Sequence, residues 1–541
     1  CFHKESHNKL LVPMLICTLA PENYQSIKVL KDNILDTYCC NEVGIKNYIE
    51  TVCTSYAIEE FNPLDWINSL YMPTPTIIEA AQALYMGHNV EDISRNDASA
   101  KNLNQTTKAI NEIIDCSKQN NKKSICFITG VPGAGKTLAG LNIAIERQKV
   151  DENEHAVFLS GNGPLVDVLQ EALARDDVSR NGTRKSEAMR KSKEFIQIIH
   201  HFRDDAISVD TPPIEKVTVF DEAQRAWDEP NLTDFMKRKK GVLDFNMSEP
   251  EFLISILNRH DGWATIVCLI GGGQEINKGE SAGIAGWFDT LKNNYQDWDV
   301  YISNKITDEE YSKGHSFDEL TKGINYKIIE DLHLAVSLRS FRSENVAAFV
   351  KALLDVDKSK AKDLYEQFKN EYPVCITRDL ETAKTWVKAK AKGTQRYGMT
   401  ASSGAKRLRK YGVWVQNKVD APNWFLNGKD DVRASYFLEE TATEFDIQGL
   451  ELDWTILCWD ANLRFNCNSF GYFKFNGTKW QNVNNEANIL YLKNSYRVLL
   501  TRARQGLVIF IPIGDSGDIT MQPSFYDGIY HYLKEIGLEE V

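Results

Sequence analysis

The stretch GVPGAGKT at positions 130–137 constrains this chain more than any other. Four apolar residues, Ile125-Cys126-Phe127-Ile128, run straight into it, and a segment rich in Ala, Leu and Ile, residues 138–145, follows. That pattern is strand, glycine loop, helix, the setting a phosphate-binding loop requires. Glycines there let successive backbone N–H groups turn inward around phosphate oxygens at a helix N-terminus. Gly130, Pro132, Gly133, Ala134, Gly135 and Leu138 are therefore nucleotide-cradling candidates. Lys136 is placed to reach the β- and γ-phosphates, and the Thr137 hydroxyl to hold magnesium. A nucleoside triphosphate with Mg2+ is the expected ligand.

A second signal lies downstream. Val217-Thr218-Val219-Phe220 reads as a buried strand that ends in Asp221-Glu222. Asp221 is expected to hold the magnesium together with Thr137, and Glu222 to polarise an attacking water. Gln224 and Arg225 follow on the same turn, where they are suited to relay nucleotide state. Residues 156–159 form another apolar run, closed by Ser160-Gly161-Asn162-Gly163-Pro164. Residues 264–270 form a third, closed by Gly271-Gly272-Gly273-Gln274-Glu275. The Gln274 amide both donates and accepts, which suits a γ-phosphate sensor. Strand–helix alternation of this kind predicts a parallel sheet, and ligands of such sheets sit at the carboxyl ends of the strands. All four polar or glycine-rich clusters fall there, so they converge on one site.

At 541 residues the chain exceeds a single core. Residues 1–70 read as a mixed α/β region, with a strand near 12–17 and helical spacing over 22–35. The chain lacks an initiator methionine, which is expected of a fragment. No D…E-x-K set of a metal-dependent nuclease is found there. Residues 71–118 read as a helical lead-in, with Thr76 as N-cap of a helix over 77–85 and a second helix near 104–116. A second alternating stretch has strands near 374–376, 397–401, 455–459 and 508–511, with an inserted loop or small subdomain over 461–490. The eleven cysteines contain no C-x-x-C pair, so buried reduced thiols are expected rather than zinc or iron–sulfur ligation. The net charge of −12 disfavours indiscriminate coating of nucleic acid but is compatible with a local basic groove. No apolar run reaches membrane-spanning length. No membrane partner is expected, and a cytoplasmic location is.

The ordered set GVPGAGKT, SGNGPLV, VFDEAQRAW, GGGQEIN, SLRSFRSE, TEFDIQGLELDW and SYRVLLTRARQG resembles the motifs of superfamily 1 helicases. It resembles most closely the Schlafen group 3-like DNA/RNA helicase domain family, a bacterial group, over roughly residues 70–535. The resemblance implies two RecA-like P-loop NTPase lobes with parallel sheets, about 119–335 and 336–541. It implies ATP as the nucleotide and single-stranded or partly duplex DNA or RNA as the partner. It also implies that Gly449 and Glu451 touch ribose and couple to the strand, that Arg502 is an arginine finger from the second lobe, and that Arg339 is its partner. Full-length relatives often carry a restriction-like nuclease region upstream, and residues 1–70 resemble only its tail, so a nuclease or defence-system partner is a further expectation. Two departures stand out. Gly272 occupies a position where aspartate is common, and Leu103-Asn104-Gln105 resembles the adenine-reading glutamine motif with its spacing displaced by one.

The expected activity is ATP hydrolysis that drives a helicase or single-strand translocase. The alternative is a regulatory ATPase switch that gates a partner, for example in bacterial antiphage defence, without unwinding. Candidates for the strand-binding groove are Asn162, His201-Phe202-Arg203, Ser402-Ser403 and Lys406-Arg407.

Overall fold

The structure is a computed structural model that describes residues 9–16, 34–56, 75–87, 97–131, 133–150, 154–271, 282–306, 308, 316–335, 341–466 and 468–541. The chain divides into two compact units, residues 1–73 with 391–395, and residues 74–390 with 396–541. In the first, β1 (Met14–Ile16) and β2 (Tyr38–Cys40) pair in parallel, Met14 opposite Tyr38. A helix, Gly44–Tyr56, covers them through a small cluster of Leu35, Tyr48 and Val52. The strand read near 12–17 is thus present, whereas most of the helix read over 22–35 lies outside the described residues.

The second unit opens with the helix Ile77–Tyr85, closed at its start by a full capping box: the Thr76 hydroxyl accepts from the Glu79 N–H, and the Glu79 carboxylate accepts from the Thr76 N–H. The helix Asp97–Asn120 follows. Its Asn111 and Asp115 grip the buried Arg147 guanidinium at 2.6–2.8 Å, which fastens this helix to the one behind the glycine loop.

Eight strands then form one wholly parallel sheet. They are β3 (Lys123–Gly130), β4 (Ala156–Ser160), β5 (Ile196–Ile198), β6 (Val217–Asp221), β7 (Ala264–Ile270), β8 (Asp299–Ser303), β9 (Tyr326–Ile329) and β10 (His333–Leu334). The order is β5-β4-β6-β7-β3-β8-β9, with β10 beside the end of β3. Continuous apolar strings are what a sheet covered on both faces demands. In β3, Ile125 and Phe127 enter the core on one face while Cys126 and Ile128 enter the core on the other.

A second parallel sheet contains β11 (Val374–Thr377), β12 (Tyr397–Ala401), β13 (Thr441–Ala442) and β14 (Leu452–Cys458). Between β14 and the rest of that sheet is inserted an antiparallel meander, β15 (Leu463–Asn466), β16 (Ser469–Asn476) and β17 (Lys479–Asn482). The meander takes the place of the loop or subdomain read over 461–490. Its root is the buried Arg464, whose guanidinium lies 4.0 Å from the Phe473 ring and 3.5 Å from the Phe525 ring. β18 (Ala503–Phe510) and β19 (Glu539–Glu540) complete the second sheet in the order β13-β12-β14-β18-β11-β19.

The two sheets share one apolar cluster. It runs from Leu165, Val168 and Leu169 on the helix Gly163–Asn181 to Val419, Trp424 and Leu450 of the second sheet's connections. Arg175 of that helix also donates to the Asn427 side-chain oxygen at 2.8 Å. The helix therefore packs on the first sheet and on the connections of the second, the helix Ala421–Leu426 among them.

The helix that follows the glycine loop, Lys136–Val150, lies so close to the sheet that a Cβ on Gly140 would meet Leu269 at 2.7 Å and Val219 at 2.9 Å. Gly140→Val is expected to cost about 1–3 kcal/mol through overpacking, read as a lower urea midpoint with an unchanged m-value. An unshifted midpoint would show that the helix is not seated there.

Candidate active site

The glycine loop leaves the carboxyl end of the central strand β3. β10 pairs with that end, Leu334 opposite Gly130, and the Val131 N–H donates to the Leu334 carbonyl at 3.1 Å. A Cβ on Gly130 would lie 2.8 Å from the Leu334 Cβ, so only glycine admits this approach. Gly133 and Gly135 both have left-handed backbones, φ 79° and 85°. Residues in that conformation help to turn successive N–H groups into an anion-binding concavity. Ala134 and Leu138 are buried beneath the loop, while Pro132 lies outside the described residues. Lys136 opens the following helix and its ammonium rests on the loop's own carbonyls, 2.6 Å from Gly130 O and 3.3 Å from Val131 O.

The next residue faces the end of β6, one strand beyond β7. Thr137 Oγ1 sits 3.3 and 3.2 Å from the two Asp221 carboxylate oxygens at the carboxyl end of β6. Burial pushes the Asp221 carboxyl up to about 7, the Glu222 charge adds to this, and the Thr137 hydroxyl and Lys136 oppose it. A carboxyl so placed gains from a cation beside it. Among the described residues no group of three or more His, Cys, Asp or Glu could enclose a metal. One hydroxyl and one carboxylate nevertheless fit Mg2+, which keeps several waters and takes its remaining ligands from substrate phosphates.

Glu222 has a left-handed backbone, φ 54° and ψ 45°, which is strained for a residue with a side chain. It swings the chain into a short turn, Ala223–Arg225, that brings Gln224 back beneath it. The Gln224 amide uses both its atoms: Nε2 donates to the Glu222 carboxylate, and Oε1 accepts from the Gly271 N–H at 2.9 Å. At Gly271, just beyond β7, a Cβ would meet Glu222 Oε2 at 2.9 Å, so a side chain there would push the Glu222 carboxylate out of its present position. The turn is braced from below. Trp287 Nε1 donates to Ala223 O at 2.9 Å, and Glu249 accepts from both the Trp227 N–H and the fully buried Arg203. Phe202 and Arg203 are thus core residues and offer no surface to a strand, unlike the groove expected of them.

Gln274 and Arg339 both lie outside the described residues. The segment leading to Arg339 is held by the helix Asp97–Asn120. Asn102 donates to His333 O at 3.3 Å and accepts from the Ala335 N–H at 2.8 Å, and Thr106 donates to Asp331 O at 2.6 Å. Asn102 makes these contacts, whereas Gln105 of the displaced glutamine motif is exposed.

In the second sheet, Arg502 is buried, and its carbonyl accepts from the Leu452 N–H at 3.2 Å. Arg504 lies 4.0 Å from Glu451 and 3.4 Å from Asp453. These residues gather at the amino ends of β14 and β18. Gly449, φ 76°, faces the first sheet: a Cβ there would meet Leu165 at 3.0 Å. Beside it, Asn162, the N-cap of the helix Gly163–Asn181, donates to the Gln448 carbonyl. No spacing in the sequence announces this contact between residues 286 positions apart. Ser403 donates through its N–H and its hydroxyl to the buried Glu444 carboxylate, both at 2.7 Å. Arg407 is paired with Asp518 at 2.7 Å.

Residues 123–512 match the family model described as Schlafen group 3, DNA/RNA helicase domain. The chain belongs to that family. The matched span runs from the start of β3 to just beyond β18 and so takes in both parallel sheets apart from β19. No curated protein matches the sequence. Among the solved structures that share a low similarity with it are two bound to DNA. One is the DUF1998 helicase MrfA bound to DNA, with 10% identity over 76% of this chain and 48% of that one, TM-score 0.29. The other is a Sulfolobus solfataricus SWI2/SNF2 ATPase core in complex with dsDNA, with 11% identity over 78% of this chain and 89% of that one, TM-score 0.24. The chain spans about half the length of the MrfA structure.

Gln224→Leu removes the acceptor of the buried Gly271 N–H and is expected to cost about 1–3 kcal/mol in denaturant unfolding. Gln224→Glu keeps that acceptor but sets two carboxylates face to face, so it should also lose stability as pH rises above the carboxylate range. Wild-type stability in the leucine variant would mean that the bridge between Glu222 and Gly271 does not form.

Proposed function

We propose that this helicase-domain protein hydrolyses ATP at the carboxyl ends of β3, β6 and β7 and uses the cycle to step along single-stranded DNA or RNA, as a superfamily 1-type motor. One observation carries the reading: Thr137, at the start of the helix after β3, meets Asp221 at the end of β6, directly beside a Glu222 that is oriented by Gln224. In this reading Gly130, Pro132, Gly133, Ala134, Gly135 and Leu138 cradle the phosphates and Lys136 leaves its carbonyl perch to hold the β- and γ-phosphates. Thr137 and Asp221 hold Mg2+, which supplies charge neutralisation on the phosphate oxygens. Glu222 accepts a proton from the water that attacks the γ-phosphorus, and ADP and phosphate leave. Gln274 senses the γ-phosphate. Arg502, with Arg339, brings positive charge to the transferring group, as arginine does best. Gly449 and Glu451 contact ribose and couple the cycle to the strand.

The alternative, a regulatory ATPase switch, is favoured by one feature. The helix Gly163–Asn181 packs on the first sheet and on the connections of the second, which restricts how far the two part.

The deciding measurement is ATP turnover by the chain and by Lys136→Ala, each with and without single-stranded DNA and RNA at low salt. A motor gives turnover that a polymer stimulates and that Lys136→Ala abolishes. Turnover that depends on Lys136 yet ignores both polymers would leave only the switch. Arg502→Ala should lower turnover by about three orders of magnitude if it is the finger. A loss below about tenfold would remove it from contact with the phosphate.

A further inference from the structure

One exposed aromatic side chain breaks an otherwise buried run at the place where the two sheets meet. Residues 441–444 and 447–448 are buried, but Phe445 is 37% exposed. The turn that carries it is tightly tied. Thr443 donates to the Asp446 carboxylate through its N–H at 2.8 Å and its hydroxyl at 2.7 Å, and the Ile447 N–H returns to Thr443 O at 3.1 Å. Beneath the ring's own residue, Glu444 is pinned by Ser403. Three residues on, the Gln448 carbonyl accepts from Asn162 of the first sheet. The turn therefore leaves more than a third of Phe445 open to water, and among the described residues the ring joins neither large apolar cluster.

Two further observations point to what covers it. Gln448 Nε2 is buried and has no hydrogen-bond partner among the described residues, so the same turn holds a donor without an acceptor. A buried donor left this way carries a penalty that a ligand oxygen relieves. Lys406, three residues beyond Ser403, has no carboxylate within ion-pair distance among the described residues. Its neighbours Arg407 and Lys410 are neutralised by Asp518 and Asp515. An aromatic face, an unmet donor and an unneutralised cation together suit a flexible polyanion that offers flat rings and oxygen acceptors.

We propose that Phe445 is a stacking platform for a base of a single-stranded nucleic acid lying across the junction of the two sheets. This rests on the strand-handling reading above. It adds the residue that meets a base: Phe445 lies within TEFDIQGLELDW, where the resemblance gives roles only to Gly449 and Glu451. Stacking of a base on an aromatic ring tolerates any base, so this contact adds affinity without reading sequence. Gln448 then donates to an acceptor on the same nucleotide, and Lys406 faces the backbone.

The test is equilibrium binding of fluorescein-labelled oligo(dT), oligo(U) and an abasic strand of equal length and charge, to the wild type, Phe445→Ala and Phe445→Trp, without nucleotide. Phe445→Ala should weaken binding of the base-bearing strands by about tenfold or more. Phe445→Trp should retain it, and the abasic strand should bind all three alike. Thermal melts of the two variants should match the wild type, since the ring is exposed. Equal binding of base-bearing strands by wild type and Phe445→Ala would overturn the platform while leaving strand handling intact. An equal loss on the abasic strand would also overturn it, because the ring would then serve the turn and not a base. Failure of the wild type to bind any of the strands would overturn the strand-handling reading and the platform with it. The dT and U arms show which polymer is taken.

Discussion

Everything in the candidate site depends on parallel pairing along β3. This strand is hydrogen-bonded to β7 on one side, and on the other to β8 and then, at its end, to β10. Parallel neighbours in register deliver their carboxyl ends to one edge, so β3, β6 and β7 release their loops side by side. The loop from β3 supplies Lys136 and Thr137, the end of β6 supplies Asp221 and Glu222, and the end of β7 supplies the Gly271 N–H. No one of these loops holds the constellation alone. Because the strands are buried on both faces, a register slip would move apolar side chains nowhere better, and ladder hydrogen bonds rather than amphipathic pattern fix the alignment.

The same burial explains what could be read in advance. Strands covered on both faces are written as unbroken apolar runs, and those at 125–128, 156–159, 217–220 and 264–270 are found as β3, β4, β6 and β7. In the second sheet β11, β12, β14 and β18 were legible for the same reason, whereas the two-residue β13 and β19 were not. β5, β8, β9 and β10 were not. They are short or mixed in polarity, like Asp-Val-Tyr-Ile-Ser in β8 or the partly exposed β9, and such strings lack a decisive period.

Side-chain partners were legible only where chain neighbours specify them. The position of Asp221 and Glu222 at a strand end follows from the local string. Arg203 was misplaced because a charged residue beside His201 suggests a surface, whereas its partner Glu249 lies 46 positions away and only the fold brings them together. The contacts of Asn162 with Gln448 and of Ser403 with Glu444 are likewise products of tertiary packing. Their residue types, a cap-forming asparagine and a serine in a glycine-rich turn, have ordinary local uses that conceal the second one.

The helix Gly163–Asn181 has a mechanical consequence. Two sheets whose layers both pack apolar side chains on one rod cannot swing apart like covers on a hinge without wetting the apolar flanks of that rod. They can slide along it or roll about it while the flanks stay dry. Shear, a small sliding of packed helices, is the class of motion that would keep those flanks dry. Asn162 sits at one end of that axle, directly beside the loop that carries Phe445, so even a short roll would be felt there first.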